Sequence, residues 1–167
     1  MEIILAENHG FCYGVKRAVE MANEAADGKG KSYTLGPIIH NPQVVGRLES
    51  KGVSPIQEVA DIDEGTMIIR SHGVGPAIYA EAEEKGLHIL DATCPHVKKA
   101  QQDAKSVIED GMTLVILGEK NHPEVKSINL WANNKGIIIE DEESAQKLQI
   151  VEKMGVVVQT TFSQFKF

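Results

Sequence analysis

Residues 87–100 read Leu-His-Ile-Leu-Asp-Ala-Thr-Cys-Pro-His-Val-Lys-Lys-Ala, and this stretch decides how we interpret the chain. Its apolar start predicts a buried strand that ends at Asp91, and Pro95 suits the first position of a helix. Cys94 is therefore expected in the turn between strand and helix. Unpaired N–H groups and the positive end of the helix dipole favour a thiolate there, so Cys94 is a candidate nucleophile or metal ligand.

The same succession of strand, turn and helix recurs along the chain. Strands are predicted over residues 3–6, 33–35, 67–70, 87–91, 113–117, 136–139 and 155–158. Helices are predicted over residues 15–26, 42–49, 76–85, 95–109 and 142–148, with a further helix ending near residue 132. This alternation predicts an α/β fold with mainly parallel sheets. Crossover connections then bring every strand-to-helix turn to the carboxyl edge of its sheet, where open α/β sheets bind ligands.

Composition and charge narrow the class of protein. The chain has 167 residues and a formal net charge of -7, which disfavours nucleic acid and anionic membrane surfaces as partners. Its start lacks the pattern of a secretory signal, and no apolar run reaches the ~20 residues of a membrane span, so we expect a cytoplasmic protein. A boundary near residues 93–95 would divide it into two α/β domains, 1–94 and 95–167.

Five chemically capable residues fall in the predicted turns: Cys12, His40, His72, Cys94 and His122. The two cysteines are either small buried residues, or catalytic or metal-binding ones; neither belongs to the C-x-x-C pair of a structural zinc site. Each histidine either pairs with loop backbone or donates hydrogen bonds to phosphate oxygens beside a helix start. Three such histidines would suit an anion the size of a diphosphate.

Two further polar positions have both structural and functional interpretations. Glu124 is expected in the first turn of a helix, where a carboxylate either opposes the helix dipole or moves protons in a site. Thr160 and Thr161 follow the last predicted strand, as cap residues or as hydroxyl ligands to a substrate.

Six short motifs together carry a specific resemblance. They are Gly-Phe-Cys-Tyr-Gly-Val at residues 10–15, Ile-His-Asn at 39–41, Ser-His-Gly-Val at 71–74, Asp-Ala-Thr-Cys-Pro at 91–95, His-Pro-Glu at 122–124 and Gln-Thr-Thr at 159–161. In this order they resemble the 4-hydroxy-3-methylbut-2-enyl diphosphate reductase family. Its members catalyse the last step of the non-mevalonate isoprenoid pathway, a reductive dehydroxylation that yields isopentenyl and dimethylallyl diphosphate.

The resemblance implies a trefoil of three similar α/β domains around a four-iron four-sulfur cluster, with one cysteine from each domain. Carried over, it makes Cys12 and Cys94 two of the three cluster ligands. Three thiolates leave one iron open to act as a Lewis acid on an alcohol. The resemblance also implies a ferredoxin- or flavodoxin-type electron donor.

The same resemblance assigns the remaining site residues. The residues implied to bind the substrate are His40, His72, His122 and Thr160. Glu124 would deliver a proton to the leaving hydroxyl, close to Thr160. The binding groups that the family takes from its last domain have no counterpart in this chain.

Family members continue where this chain stops, at Phe167. The resemblance therefore predicts an N-terminal portion with an incomplete second domain and no third one, inactive by itself and without a stable cluster. Two alternatives stay open. One is a non-enzymatic α/β module that binds a phosphorylated ligand or a partner through the same cysteines and histidines. The other is a zinc hydrolase, which the absence of ligand pairs at zinc spacing disfavours.

Overall fold

The computed structural model describes residues 2–7, 9–28, 30–149 and 152–163. In chain order its elements are α1 (Tyr13–Ala26), β1 (Ser32–Leu35), α2 (Pro42–Glu49), β2 (Val53–Ile56), a 3-10 turn (Val59–Asp61), β3 (Thr66–Ile69), α3 (Pro76–Glu84), β4 (His88–Asp91), α4 (Pro95–Glu109), β5 (Thr113–Leu117), α5 (Pro123–Trp131), β6 (Ile137–Ile139), α6 (Glu142–Gln146) and β7 (Met154–Val158). None of the helices within the described residues is long and apolar enough to cross a membrane.

The strands form two parallel sheets. The first has the order β2-β1-β3-β4 and the second the order β6-β5-β7, with all neighbouring strands parallel. The predicted α/β fold with parallel sheets is therefore confirmed. Because the strands of each sheet point the same way, the turns that follow β1, β3 and β4 share one edge. The first sheet ends at Asp91 and the second begins at Thr113; the domain boundary at 94–95 stays a prediction.

Apolar side chains on both faces of the first sheet explain why helices cover it on both sides. Along β3, Ile68 packs in the cluster that includes α1 and α2, whereas Met67 and Ile69 pack in the cluster on the opposite face with α3. All three side chains are fully buried. This alternation follows from the period of two in a strand. In the second sheet, Leu114 and Ile116 lie in a third cluster with residues of α4 and α5.

Prolines and capping residues set where the helices begin. Helices α2, α3, α4 and α5 each have proline within their first two positions. Proline fits there because its missing N–H would have no partner in the first turn. At α2 the Asn41 side chain accepts hydrogen bonds from Gln43 N and Val44 N, both at 3.1 Å. The predicted starts of α2 at residue 42 and of α4 at residue 95 are confirmed.

Residues 3–6 do not form the predicted strand. The structure has no strand in segment 2–7, and Ile3, Ile4 and Leu5 are 74%, 82% and 75% exposed. An apolar run has no intrinsic need to be a strand; it becomes one when neighbouring strands supply ladder partners and buried surface. Among the described residues, no strand pairs with this segment, so the prediction is wrong here.

A strand that the sequence pattern does not indicate lies at one edge of the first sheet. β2 (Val53–Ile56) carries Pro55, which has no N–H to donate and argues against a central strand. The register places Pro55 beside Thr34 of β1, and no strand of the described residues pairs with the other side of β2. An edge position tolerates proline because one side of the strand makes no ladder.

Candidate active site

Two helices begin at cysteines. Cys12 is the N-cap residue of α1 and Cys94 that of α4; their carbonyl oxygens accept hydrogen bonds at 2.9 Å from Lys16 N and Lys98 N. Neither thiol caps its helix, although an N-cap side chain normally accepts a bond from the first turn. Cys12 is exposed and Cys94 partly buried. Both sulfur atoms are therefore free for other chemistry.

The start of α1 lies directly against the turn that carries Cys94. A Cβ atom placed on Gly14 would lie 2.6 Å from Cys94 Sγ. The Arg17 guanidinium donates to the Thr93 carbonyl oxygen at 3.3 Å, and Cys94 N donates to the Ser71 carbonyl oxygen at 3.0 Å. The two cysteine turns thus meet, and the second of them is bonded to the turn that carries His72.

The three histidines from different turns form a row with His72 in the middle. The ring centroids of His40 and His72 are 5.1 Å apart, and those of His72 and His122 are 5.4 Å apart. His40 and His72 also line a cavity of about 230 Å³ together with Phe11, the residue before Cys12. The structure therefore brings the predicted histidines together beside a cysteine turn.

Hydrogen bonding decides which nitrogen of His122 carries the proton in the neutral ring. His122 is the N-cap residue of α5, and its Nδ1 accepts a hydrogen bond of 3.2 Å from Glu124 N. An accepting Nδ1 carries no proton, so Nε2 must carry it in the neutral ring. His122 is thereby oriented as a donor through Nε2, the arrangement that an anion requires.

His72 is held as a neutral imidazole. Burial lowers its pKa from 6.5 to about 4, and Arg70, His122 and His40 add to the effect through their positive charges. Its Nδ1 is buried and has no hydrogen-bond partner among the described residues. Such an atom loses its hydration without compensation, so a polar ligand that reached it would be favourably bound.

Glu124 is a buried carboxyl group held by one residue of the second sheet's last turn. It is 1% exposed. One carboxyl oxygen, Oε1, accepts from Thr160 N at 2.6 Å, and the other, Oε2, accepts from the Thr160 hydroxyl at 2.9 Å. A carboxylate that served only the helix dipole would sit in solvent. The pairing instead connects Glu124 to a hydroxyl through which a proton can pass.

Gln159 is a supporting residue that we did not predict. It is 4% exposed, and its Oε1 accepts from Glu119 N at 2.9 Å while its Nε2 donates to Thr161 Oγ1 at 2.7 Å. These bonds tie the turn after β5 to the end of β7 and so place Thr160 beside Glu124. Thr161 has a structural partner there. The Gln-Thr-Thr motif was the available signal.

Ser127 and Gln101 link the two sheets behind the histidines. The Ser127 hydroxyl lies 2.9 Å from the His72 carbonyl oxygen and 2.8 Å from that of Glu124, and it accepts from Gln101 Nε2 at 3.2 Å. Both side chains are buried. Sequence reasoning did not single them out, because a serine or glutamine inside a helix has no pattern that distinguishes a buried bridge from a solvated position.

The family model described as "LytB protein" matches residues 3–167. The chain belongs to the LytB family. Its curated relatives in that family include proteins named 4-hydroxy-3-methylbut-2-enyl diphosphate reductase from Geotalea uraniireducens, 51% identical over 163 residues, and from Pelobacter propionicus, 52% identical over 163 residues. Each match covers 98% of this chain and 58% of the relative, so the chain spans just over half their length.

Solved structures of similar proteins have the same fold over this region. One is described as (E)-4-hydroxy-3-methyl-but-2-enyl diphosphate reductase, the terminal enzyme of the non-mevalonate pathway; it is 45% identical, with a TM-score of 0.85 over 98% of this chain and 59% of that one. The reductase from Plasmodium falciparum is 32% identical, with a TM-score of 0.90 over 96% of this chain and 52% of its own.

The donor atoms of this LytB-family chain fit part of an iron–sulfur ligand set. Iron–sulfur clusters are held by cysteine thiolates, and Cys12 and Cys94 present two uncommitted thiols at helix starts that meet. A Cβ atom at position 14 would lie against Cys94 Sγ, so only glycine leaves the sulfur atom uncovered on the side that faces α1. Within the described residues, no group of three or more His, Cys, Asp or Glu side chains could hold a metal ion by itself.

Proposed function

We propose that this chain forms part of the active site of a 4-hydroxy-3-methylbut-2-enyl diphosphate reductase. The observation that carries the proposal is the histidine row next to the buried Glu124, whose carboxyl group is hydrogen-bonded to Thr160. The row has the chemistry to hold a diphosphate, and the pair has the chemistry to move a proton. The names of the relatives support the same reaction.

In this proposal His40, His72 and His122 bind the diphosphate of the substrate. His122 offers Nε2–H because its Nδ1 is occupied by Glu124 N. The beginnings of α2 and α5 add the positive end of the helix dipole, which favours an anion. The bound diphosphate would orient the hydrocarbon part of the substrate, with its hydroxyl at the opposite end.

The proposed reaction breaks the C–O bond of the allylic alcohol. The oxygen leaves as water after gaining a proton, two electrons enter, and a second proton adds to the carbon skeleton. Glu124 is the proton source for the leaving oxygen, and Thr160 positions its carboxyl group through both of its bonds. Depending on which allyl carbon is protonated, the product is isopentenyl or dimethylallyl diphosphate.

Cys12 and Cys94 would hold the iron–sulfur cluster. That cluster would supply the electrons and an open iron as Lewis acid. Both thiols stand at helix starts, where the positive end of the dipole opposes the negative charge of a thiolate-ligated cluster. A ferredoxin- or flavodoxin-type protein is the proposed electron donor.

Two variants test the proposal in the full gene product that carries this chain, with chemically reduced dye as electron source. Cys94→Ser should lose cluster iron and turnover together. Glu124→Gln should keep iron, sulfide and the electron paramagnetic resonance signal but lose turnover by about 10²- to 10⁴-fold, because it changes proton delivery alone.

Glu119→Gln is the matched control, since Glu119 lies in the same turn but is exposed. It should retain wild-type turnover. Wild-type turnover in Glu124→Gln would remove Glu124 from the mechanism. Diphosphate binding without turnover in the unaltered gene product would support the non-enzymatic binding module instead.

A further inference from the structure

A second cavity, of about 360 Å³, lies beside the histidine row and is not used by the proposed function. Its walls come from the turns that end β1 and β3 and from the beginning of α5. The lining groups with bearing on its chemistry are Gly36, Arg70, Gly73, Asn121 and Lys126. None of the three histidines of the row lines it, whereas His40 and His72 line the neighbouring cavity.

Arg70 is an unpaired cation in the wall of this cavity. Its Nε is buried and has no hydrogen-bond partner among the described residues. The ion pairs of the described residues join other basic side chains to carboxylates, and none includes Arg70 or Lys126. Burial lowers the pKa of Arg70, because the charged guanidinium loses hydration and, in the part of the chain that the structure describes, gains no acceptor in exchange. A guanidinium that loses water without an acceptor destabilises the fold unless an anion binds it.

Glycine keeps the space around this guanidinium open. Gly36 has φ +71°, a conformation that favours glycine, and a Cβ atom there would lie 3.0 Å from Arg70 Nη1. Gly73, with φ +70°, lies in the turn that follows Arg70, and its N–H donates to the Arg70 carbonyl oxygen at 3.0 Å. The backbone therefore approaches the guanidinium where a side chain would cover it, and Arg70 remains accessible from the cavity.

We propose that this cavity binds a phosphoryl-type anion at a site separate from the histidine row. The fork of Arg70 pairs with two phosphate oxygens, a geometry for which guanidinium is better suited than ammonium. The exposed Lys126 adds positive charge at the open side, and the Asn121 amide offers a further donor. In a chain of net charge -7, this concentration of unpaired positive charge selects an anion of high charge density.

Calorimetric titration with inorganic diphosphate tests the site in a background that removes the histidine row. In His40→Asn/His72→Asn/His122→Asn, one binding site should persist. Adding Arg70→Gln should weaken that site at least tenfold, since charge-assisted bonds are lost. Arg47→Gln, at an exposed arginine on α2, is the matched control and should leave affinity unchanged. Because the background lacks the histidines, the result does not depend on the proposed reductase function.

A second variant and a stability measurement guard against misfolding. Lys126→Glu changes an exposed position and should also weaken binding at least tenfold. Without anion, Arg70→Gln should melt no lower than its parent, because it removes an unpaired cation; diphosphate should raise the melting temperature of the parent only. No binding in the background without the histidine row, or unchanged affinity after both substitutions, would overturn the proposal.

Titration with dimethylallyl diphosphate separates two sources of the anion. Equal affinity for dimethylallyl diphosphate and for inorganic diphosphate means that the site contacts the phosphate oxygens alone. Affinity at least tenfold higher for the ester means that it also holds the hydrocarbon part, against the apolar side chains of Ile78 and Leu130 in the same cavity. Both outcomes require the Arg70 dependence described above.

Discussion

His72 should make the folded state sensitive to mild acid. Burial lowers its pKa from 6.5 to about 4 in the folded chain, and the charges of Arg70, His122 and His40 contribute to the same shift. Between these two pH values the unfolded chain binds a proton that the folded chain does not. The contribution of neutral His72 to the free energy of unfolding is therefore fully present above pH 6.5 and is lost as the pH falls from 6.5 towards 4.

The size of this loss follows from the same values. The interval from 6.5 to about 4 corresponds to about 3.4 kcal/mol at about 1.36 kcal/mol for each pH unit. Partial exposure of the ring screens part of it, so we expect about 2 kcal/mol. Asp91 also contributes to the acid dependence, because burial raises its pKa by less than Lys98 and Thr93 together lower it. It contributes equally to wild type and to a His72 variant.

Urea unfolding at pH 7.5 and pH 4.5 measures the contribution of His72 by difference. Wild type should lose about 1.5 kcal/mol more of its free energy of unfolding between these pH values than His72→Gln does, because pH 4.5 covers most but not all of the interval down to about 4. His88→Gln is a control, because His88 lies exposed in β4 and away from the row. Parallel losses in wild type and His72→Gln would refute the idea that burial keeps His72 neutral.

Two further predictions concern contacts that position the site. Gly14→Ala should displace the start of α1 from Cys94 and lower the iron content of the reconstituted full gene product. Gly46→Ala is the control, because a Cβ atom added there meets nothing within 4 Å, and it should leave the iron content unchanged. Equal iron content in both variants would show that the contact between Gly14 and Cys94 does not matter for the cluster. Thr160→Val should lower the free energy of unfolding by about 1–3 kcal/mol, because Glu124 Oε2 loses its donor in a buried site. Thr160→Ser should restore most of that loss in urea titrations, and a valine variant as stable as wild type would show that the hydroxyl bond is unimportant.

Sequence reasoning predicted the fold where local signals agree with tertiary structure. The helix over residues 42–49 has an asparagine cap and a proline start, and the structure reproduces its bounds. The strand over 113–117 is equally well predicted, since its apolar residues are buried in a sheet with neighbours on both sides. Residues 3–6 have the same apolar character and form no strand, because pairing depends on a neighbour that a sequence window does not contain.

The sequence predicts which turns carry the site residues, but not which side chains contact each other. His40 and His72 follow neighbouring strands of the first sheet, and their rings are 5.1 Å apart. His122 follows β5 of the second sheet, so only tertiary packing brings its ring within 5.4 Å of His72. The burial of Glu124 and its bonds to Thr160 join residues 36 positions apart, which no local pattern encodes. Arg70 likewise becomes a candidate ligand-binding residue only once its missing partner is visible in three dimensions.

The N-cap residues of the four helices around the site differ in whether their side chains cap the helix. At α2 and α5 the N-cap side chains, Asn41 and His122, accept hydrogen bonds from the first turn. At α1 and α4 the N-cap residues are cysteines whose thiols accept none. Serine or asparagine in those two places would stabilise each helix by roughly 0.5–2 kcal/mol. With cysteine at both N-caps, neither helix gains that stabilisation. This loss is explained if the two thiols serve as ligands and not as helix caps.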